Sequence, residues 1–194
     1  MLKIGVLGLQ GAVEEHIRQI NALNAEGIII KRIEQLEDID GLILPGGEST
    51  AIRKLMDLYG FVDRLKEFKK PIFGTCAGMV LLAKDISESA EAHLSLMDIT
   101  VKRNAFGRQR FSFEINLSIN GLDEPFQAVF IRAPYALAAG PNVEILATYK
   151  ERIVAARQGN LLVSAFHPEL TDDTRFMNIF LEMVESSLNV SEVC

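Results

Sequence analysis

The chain has 194 residues, 48% hydrophobic and 24% charged, with a net charge of -6, which suits one globular domain with a substantial core. The negative balance disfavours nucleic acid or an anionic membrane as main partner, and no apolar stretch reaches the length of a membrane span. Only Cys76 and Cys194 are cysteines, so no disulfide framework is indicated and a reducing, cytoplasmic setting is expected.

In chain order, Lys3–Leu7 predicts a first strand; it lacks the long apolar core and cleavage site of a signal peptide. A Gly8-Leu9-Gln10-Gly11 loop follows, and then Val13, Ile17, Ile20 and Leu23 recur at helical spacing. His16 lies beside Glu14 and Glu15 and is expected on that helix's surface. Gly27–Ile33 predicts a second strand and Leu42-Ile43-Leu44 a third, stopped by Pro45-Gly46-Gly47. Ser49 or Thr50 is the expected cap of a helix carrying Ile52, Leu55, Met56 and Tyr59. Pro71–Gly74 is the fourth strand and Ala77–Ala83 the next helix. This rhythm implies an α/β fold with a mostly parallel central sheet and helices on both faces.

The middle of the chain differs. Ile99–Lys102, Ser112–Ile119, Ala128–Ile131, Val143–Tyr149, Ile153–Ala156 and Leu161–Ala165 predict additional strands, with turns at Asn120-Gly121 and Gln158-Gly159-Asn160. A last amphipathic helix is expected over about Thr174–Leu188, giving way to a frayed tail over Ser186–Cys194. The expected division is one domain, residues 1–190, with 191–194 outside it. His16, His93 and His167 are far apart and no C-x-x-C or H-E-x-x-H occurs, so no metal is expected. His93 is given no role.

The chemistry is concentrated in two segments. Gly74-Thr75-Cys76-Ala77-Gly78 has the form G-x-C-x-G, a nucleophile elbow with cysteine in place of serine. A strand turning sharply into a helix would set the thiol at a helix N-terminus, which favours thiolate. About ninety residues on comes His167-Pro168-Glu169. Proline pushes His167 toward extended backbone, where residues i and i+2 share a side. The imidazole can then face Glu169 with one nitrogen and Cys76 with the other, the logic of a catalytic triad. A lone cysteine is more often a small buried hydrophobe; the elbow followed by H-P-E favours catalysis. Pro45-Gly46-Gly47-Glu48-Ser49-Thr50 brings backbone N–H groups close to a ligand, as an oxyanion site requires; a turn feeding a capped helix would read the same. Arg103 and Arg132 are candidate carboxylate ligands, whereas Arg108 and Arg110 read as a solvated basic face. Cys194 reads as a terminal thiol without a role.

These stretches resemble the triad (class I) glutamine amidotransferases, and within them the glutaminase subunits of pyridoxal 5′-phosphate synthases. The resemblance runs over nearly the whole chain. It is carried by Ile4–Ala12, Leu42–Thr50, Phe73–Gly78, Arg103–Gln109, Phe130–Pro134 and Phe166–Thr171. It implies a three-layer sandwich, with Cys76 as nucleophile and His167 and Glu169 as its relay. Gly47, Glu48, Ser49, Arg103, Ile131 and Arg132 then belong to the glutamine pocket. Gln10 marks a loop that shapes the oxyanion region when a partner docks, and the backbone of Gly47 and Ala77 supplies the N–H donors. The implied reaction releases ammonia from L-glutamine to a separate synthase subunit in a hetero-oligomer, and this chain needs no cofactor. A subunit for another pathway and a non-catalytic protein on the same fold are the alternatives. The R-N-x-F-G-R-Q and F-I-R-A-P blocks speak against the first and the intact Cys, His and Glu against the second. Two positions depart from the family pattern: Tyr135 stands where His is common and Ser95 where Gly is common.

Overall fold

The computed structural model describes residues 1–87, 91–103 and 112–191. The first half holds β1 (Lys3–Leu7), α1 (Val13–Ala22), β2 (Glu26–Ile30), β3 (Gly41–Leu44), α2 (Ser49–Leu58), α3 (Phe61–Glu67), β4 (Ile72–Thr75) and α4 (Ala77–Leu82). The second holds β5 (Ala83–Ile86), β6 (Met97–Lys102), β7 (Ser112–Leu117), β8 (Phe126–Ile131), β9 (Tyr135–Ala139), β10 (Glu144–Tyr149), β11 (Arg152–Gln158), β12 (Leu161–Ser164) and α5 (Arg175–Ser191). The main sheet runs β2-β1-β3-β4-β12-β11-β9-β6-β5, with β10 on β11. From β2 to β12 the pairing is parallel; β12–β11, β11–β9 and β9–β6 are antiparallel. Strands β7 and β8 form a separate antiparallel pair. The expected α/β sandwich, with antiparallel strands in mid-chain, is the fold observed.

The parallel strands read as apolar runs because both faces are covered. Every residue of β3 and β4 is buried. An aromatic cluster lies beneath the site: Phe166 packs on Phe126, Phe130 and Phe176, and Phe73 on Phe176 and Phe180 of α5.

Several expectations need correction. The second strand stops at Ile30 rather than Ile33, because the Gln35 side chain accepts the N–H groups of Lys31 and Arg32 at 2.9 and 3.0 Å and starts a 3-10 turn over Ile33–Leu36. The cap of α2 is Glu48, not Ser49 or Thr50: its carboxylate accepts from the backbone N–H of Thr50 and Ala51 at 3.0 and 2.8 Å. Strands β5 and β9 were not predicted. The first is a short edge strand carrying Lys84 and Asp85, and the second follows Pro134 with a run of alanines. No tail frays at Ser186. Helix α5 continues to Ser191, and the hydroxyls of Ser186 and Ser187 donate to the carbonyls of Glu182 and Val184. Residues 192–194, including Cys194, lie outside the described residues.

Ser95 has φ +58, a left-handed conformation that favours glycine, and its hydroxyl donates to the Lys84 carbonyl at 3.2 Å. Glycine, which the family resemblance leads one to expect there, would adopt this conformation without strain. Tyr135 is buried under the Arg152 guanidinium, 4.4 Å from its ring centroid.

Gly78 is a packing requirement: a Cβ there would lie 2.1 Å from the Leu44 carbonyl oxygen. Gly121, unlike Gly78, has positive φ, but its Cβ would meet nothing within 4 Å. Gly78→Ala should therefore cost about 3 kcal/mol or more in urea denaturation, and Gly121→Ala only the backbone strain of about 1–2 kcal/mol. Equal losses would contradict this packing account.

Candidate active site

The site lies beyond the carboxyl ends of the parallel strands, where open α/β sheets bind ligands. Loops after β1, β3, β4 and β12 meet there. Larger clefts of about 390 and 490 Å³ open near the amino ends of the strands, but hold neither thiol nor imidazole.

At the end of β4 the chain reverses into α4. A Cβ on Gly74 would lie 2.5 Å from the Gly78 carbonyl carbon, so the two flanking glycines let strand and helix backbones touch. Between them Cys76 takes φ 49, ψ -99, a conformation rare outside glycine. Its N–H donates to the Ser164 carbonyl at 2.7 Å. Its sulfur lies 3.9 Å from the Ile131 carbonyl oxygen. The residue is 7% exposed.

Strand β12 runs beside β4, and three residues past its end His167 enters the same space. Its backbone N–H donates to the Val129 carbonyl at 2.8 Å, which fixes the loop to β8. Nδ1 of the ring donates to Oε1 of Glu169 at 2.7 Å, and the ring lies beside the Cys76 side chain, both of them facing Gly46. The expected sharing of one side by His167 and Glu169 is observed, but not through continuous extended chain. Pro168–Leu170 is a 3-10 turn, with Pro168 at its start and His167 at φ -106, ψ 85. The turn carries Glu169 fully out of solvent.

Burial alone pulls the His167 imidazolium down. Hydrogen bonds and charge attraction from Cys76 and Glu169 outweigh it and hold the group at about 10. Burial likewise pushes Glu169 up, but His16 and His167 beside it hold its carboxyl below the usual range. The result is an imidazolium between the Cys76 sulfur and a buried carboxylate, an arrangement suited to stabilising a thiolate and moving one proton.

A cleft beside the sulfur is lined by Gly47, Glu48, Ser49, Ala77, Arg103, Arg132 and Pro134. Thus the expected pocket residues gather at Cys76, with Ile131 contributing its carbonyl. Arg103 donates to the Thr50 hydroxyl at 3.2 Å. Arg132 sits at the bend after β8 with φ +46. Both oxygens of Glu48 serve the α2 cap. Gln10 crosses to the same loop, its Oε1 accepting the Glu48 N–H at 3.2 Å, while Ala12 N–H donates to the Gly46 carbonyl at 3.3 Å. Residues 104–111, with the expected Arg108 and Arg110, lie outside the described residues.

Three residues of the site escaped sequence reasoning. His16, expected on the surface, is fully buried against Thr75 and Glu169. Gln19 is buried one turn later and donates to the carbonyls of Pro168 and Thr171 at 2.8 and 2.9 Å. The signal was present for His16, since positions 13, 16, 17 and 20 form one helical face; Gln19 lies to the side of that face. Gly46 is the third, since a Cβ there would stand 2.5 Å from Cε1 of His167.

A family model described as the SNO glutamine amidotransferase family matches residues 6–186. The chain belongs to the SNO glutamine amidotransferase family. Its similarity to other family members is extensive. It is 62% identical over 190 residues to the pyridoxal 5′-phosphate synthase subunit PdxT of Geobacillus sp. (strain WCH70), covering 96% of this chain and 99% of that one. The subunit of the same name from Bacillus velezensis is 61% identical over 188 residues, covering 95% and 96%. A crystal structure of a glutamine amidotransferase superposes with TM-score 0.89 at 44% identity, covering 94% of this chain and 98% of its own. A glutamine amidotransferase from Thermotoga maritima, 12% identical with TM-score 0.58, covers 100% of this chain and 86% of its own and shares the fold alone.

Gly46→Ala should push the His167 ring from its place between Cys76 and Glu169. The expected outcome is alkylation of Cys76 by iodoacetamide slowed on the order of tenfold, with about 1–3 kcal/mol lost from stability. Unchanged alkylation would show that Gly46 does not make room for the ring.

Proposed function

We propose that Cys76, His167 and Glu169 form the catalytic triad of a glutaminase that supplies ammonia for pyridoxal 5′-phosphate synthesis. The gathering of a strained elbow thiol, the His167 imidazole and a buried carboxylate hydrogen-bonded to that imidazole carries this reading. Family membership and the similarity to PdxT subunits supply the substrate, L-glutamine.

The reaction begins with the Cys76 thiolate adding to the side-chain carbonyl carbon of glutamine. Charge then builds on the carbonyl oxygen, and the N–H groups of Gly47 and Ala77 are the proposed donors to it. As the tetrahedral adduct collapses, the C–N bond breaks and His167 gives its proton to the departing nitrogen, releasing ammonia. Water, deprotonated by His167, adds to the thioester. Loss of the sulfur then frees glutamate and restores Cys76. Glu169 holds the imidazole in the tautomer this sequence needs and steadies its charged form. Gly47, Glu48, Ser49, Arg103, Ile131 and Arg132 are the proposed substrate pocket, supported by their place around the sulfur.

A separate synthase subunit is the proposed acceptor of the ammonia, in a cytoplasmic hetero-oligomer. Free ammonia would protonate in water and cease to be a nucleophile, so release is best coupled to that subunit. No helix among the described residues is long and apolar enough to cross a membrane. The Gln10 loop, bonded to the Glu48 and Gly46 backbone, is the proposed route by which docking acts on the oxyanion donors.

Glutaminase assays with and without the synthase subunit test the reading. Cys76→Ala should abolish turnover and Cys194→Ala leave it near wild type; activity retained by Cys76→Ala would sink the assignment. Adding the synthase should raise turnover at saturating glutamine. His167 holds its proton until about pH 10. A group raised in this way is protonated below that value and loses its proton as pH rises through it. The alkaline limb of kcat/KM should therefore fall near pH 10 rather than near the 6.5 of an ordinary imidazole.

A further inference from the structure

Glu169 has two carboxylate oxygens, and His167 uses one. The other, Oε2, is buried and receives no hydrogen bond among the described residues. A buried anionic oxygen without a donor is costly, and the protein normally supplies one. Nε2 of His16 on α1 lies 3.7 Å from it. Both side chains are completely inaccessible to solvent.

We infer that His16 is a positioning residue for the catalytic carboxylate, its Nε2–H directed at the Glu169 oxygen that His167 leaves unpaired. The inference rests on the triad assigned above and extends it by one residue. The separation is an electrostatic contact that a shift of about 1 Å would convert to a hydrogen bond, and such contacts commonly tighten in the substrate complex.

Two further observations support it. Nε2 of His16 also lies 3.2 Å from the hydroxyl of Thr75, the residue immediately before Cys76. The imidazole therefore touches both the strand that carries the nucleophile and the turn that carries the carboxylate. One turn along α1, Gln19 donates to the carbonyls of Pro168 and Thr171. Positions 16 and 19 share a helix face, so α1 grips the H-P-E turn at its backbone and at its carboxylate together.

The tautomer follows from the surroundings. Burial, acting first, and the nearby His167 charge keep His16 below its ordinary value against the pull of Glu169 and Glu15, so the ring is neutral and carries one proton. Nδ1 has no partner. A proton there would leave a buried N–H unsatisfied and turn the Nε2 lone pair toward a carboxylate. A proton on Nε2 faces two acceptors, Oε2 of Glu169 and the Thr75 hydroxyl, and is favoured on both counts.

The test uses the full chain with its synthase subunit and compares His16→Leu, His16→Gln and His167→Asn. Leucine fills much of the space without a donor; glutamine places an amide N–H near the position of Nε2. His16→Leu should lower kcat by on the order of ten- to a hundredfold, the range found when outer-shell partners of catalytic groups are removed. KM for glutamine should change by less than about twofold, since a residue that only orients the relay does not hold substrate. His16→Gln should recover most of the lost kcat. A folded His16→Leu with wild-type kcat, or a His16→Gln no better than His16→Leu, overturns the inference. If His16→Leu does not fold, nitrogen-15 NMR of the wild-type ring decides: protonated Nε2 supports the inference and protonated Nδ1 overturns it. His167→Asn separates the two levels. Its inactivity beside a fully active His16→Leu removes only the role of His16, whereas turnover retained by His167→Asn removes the triad.

Discussion

The parallel pairing of β4 with β12 sets the geometry on which the site depends. Thr75 and Ser164 are register partners, and each ends its strand. One residue past the first is Cys76; three past the second is His167. The Cys76 N–H to Ser164 carbonyl bond extends the pairing by one step into the elbow. A shift of register by one residue would displace the imidazole from the sulfur by about 3.3 Å along the strand, more than a hydrogen bond tolerates. Burial of every β4 residue makes such a slip costly, so the core holds the site in alignment.

Around that pairing, the neighbouring elements each hold the base from a different side. Strand β8 takes the His167 N–H, and Gly46 leaves room for its ring. Glu169 takes Nδ1, and the Pro168–Leu170 turn that carries Glu169 is held by Gln19 of α1. Buried charge explains this density of support. Removing one member of a buried ion pair leaves the other uncompensated, at about 3–5 kcal/mol. Each added contact therefore narrows the positions available to the ring and preserves both charges.

Much of this was legible in the sequence because it rests on local rules. Small residues around Cys76 signalled the elbow, apolar runs signalled parallel strands, and His167-Pro168-Glu169 brought base and carboxylate together. The rest was set by contacts distant in sequence. His16 reads as a polar residue among glutamates until Thr75, 59 positions away, and Glu169 close over it. Glu48 displaced Ser49 as the α2 cap because its longer side chain reaches two backbone N–H groups at once. Strands β5 and β9 carry little strand signal of their own and exist because β6 lies between them. The tail was expected to fray from Ser186 on account of its terminal position, whereas the hydroxyls of Ser186 and Ser187 satisfy carbonyls of α5 itself.

The backbone at Cys76 has an evolutionary consequence. With φ 49 and ψ -99, this residue sits where an L side chain is disfavoured by about 1–3 kcal/mol. Glycine would relieve that strain and retain the elbow, so the most stable form of this fold lacks the nucleophile. Stability and activity therefore pull in opposite directions at this one position. Selection for thermal persistence alone would drift toward an inert homologue, and the thiol survives only where the reaction itself is under selection.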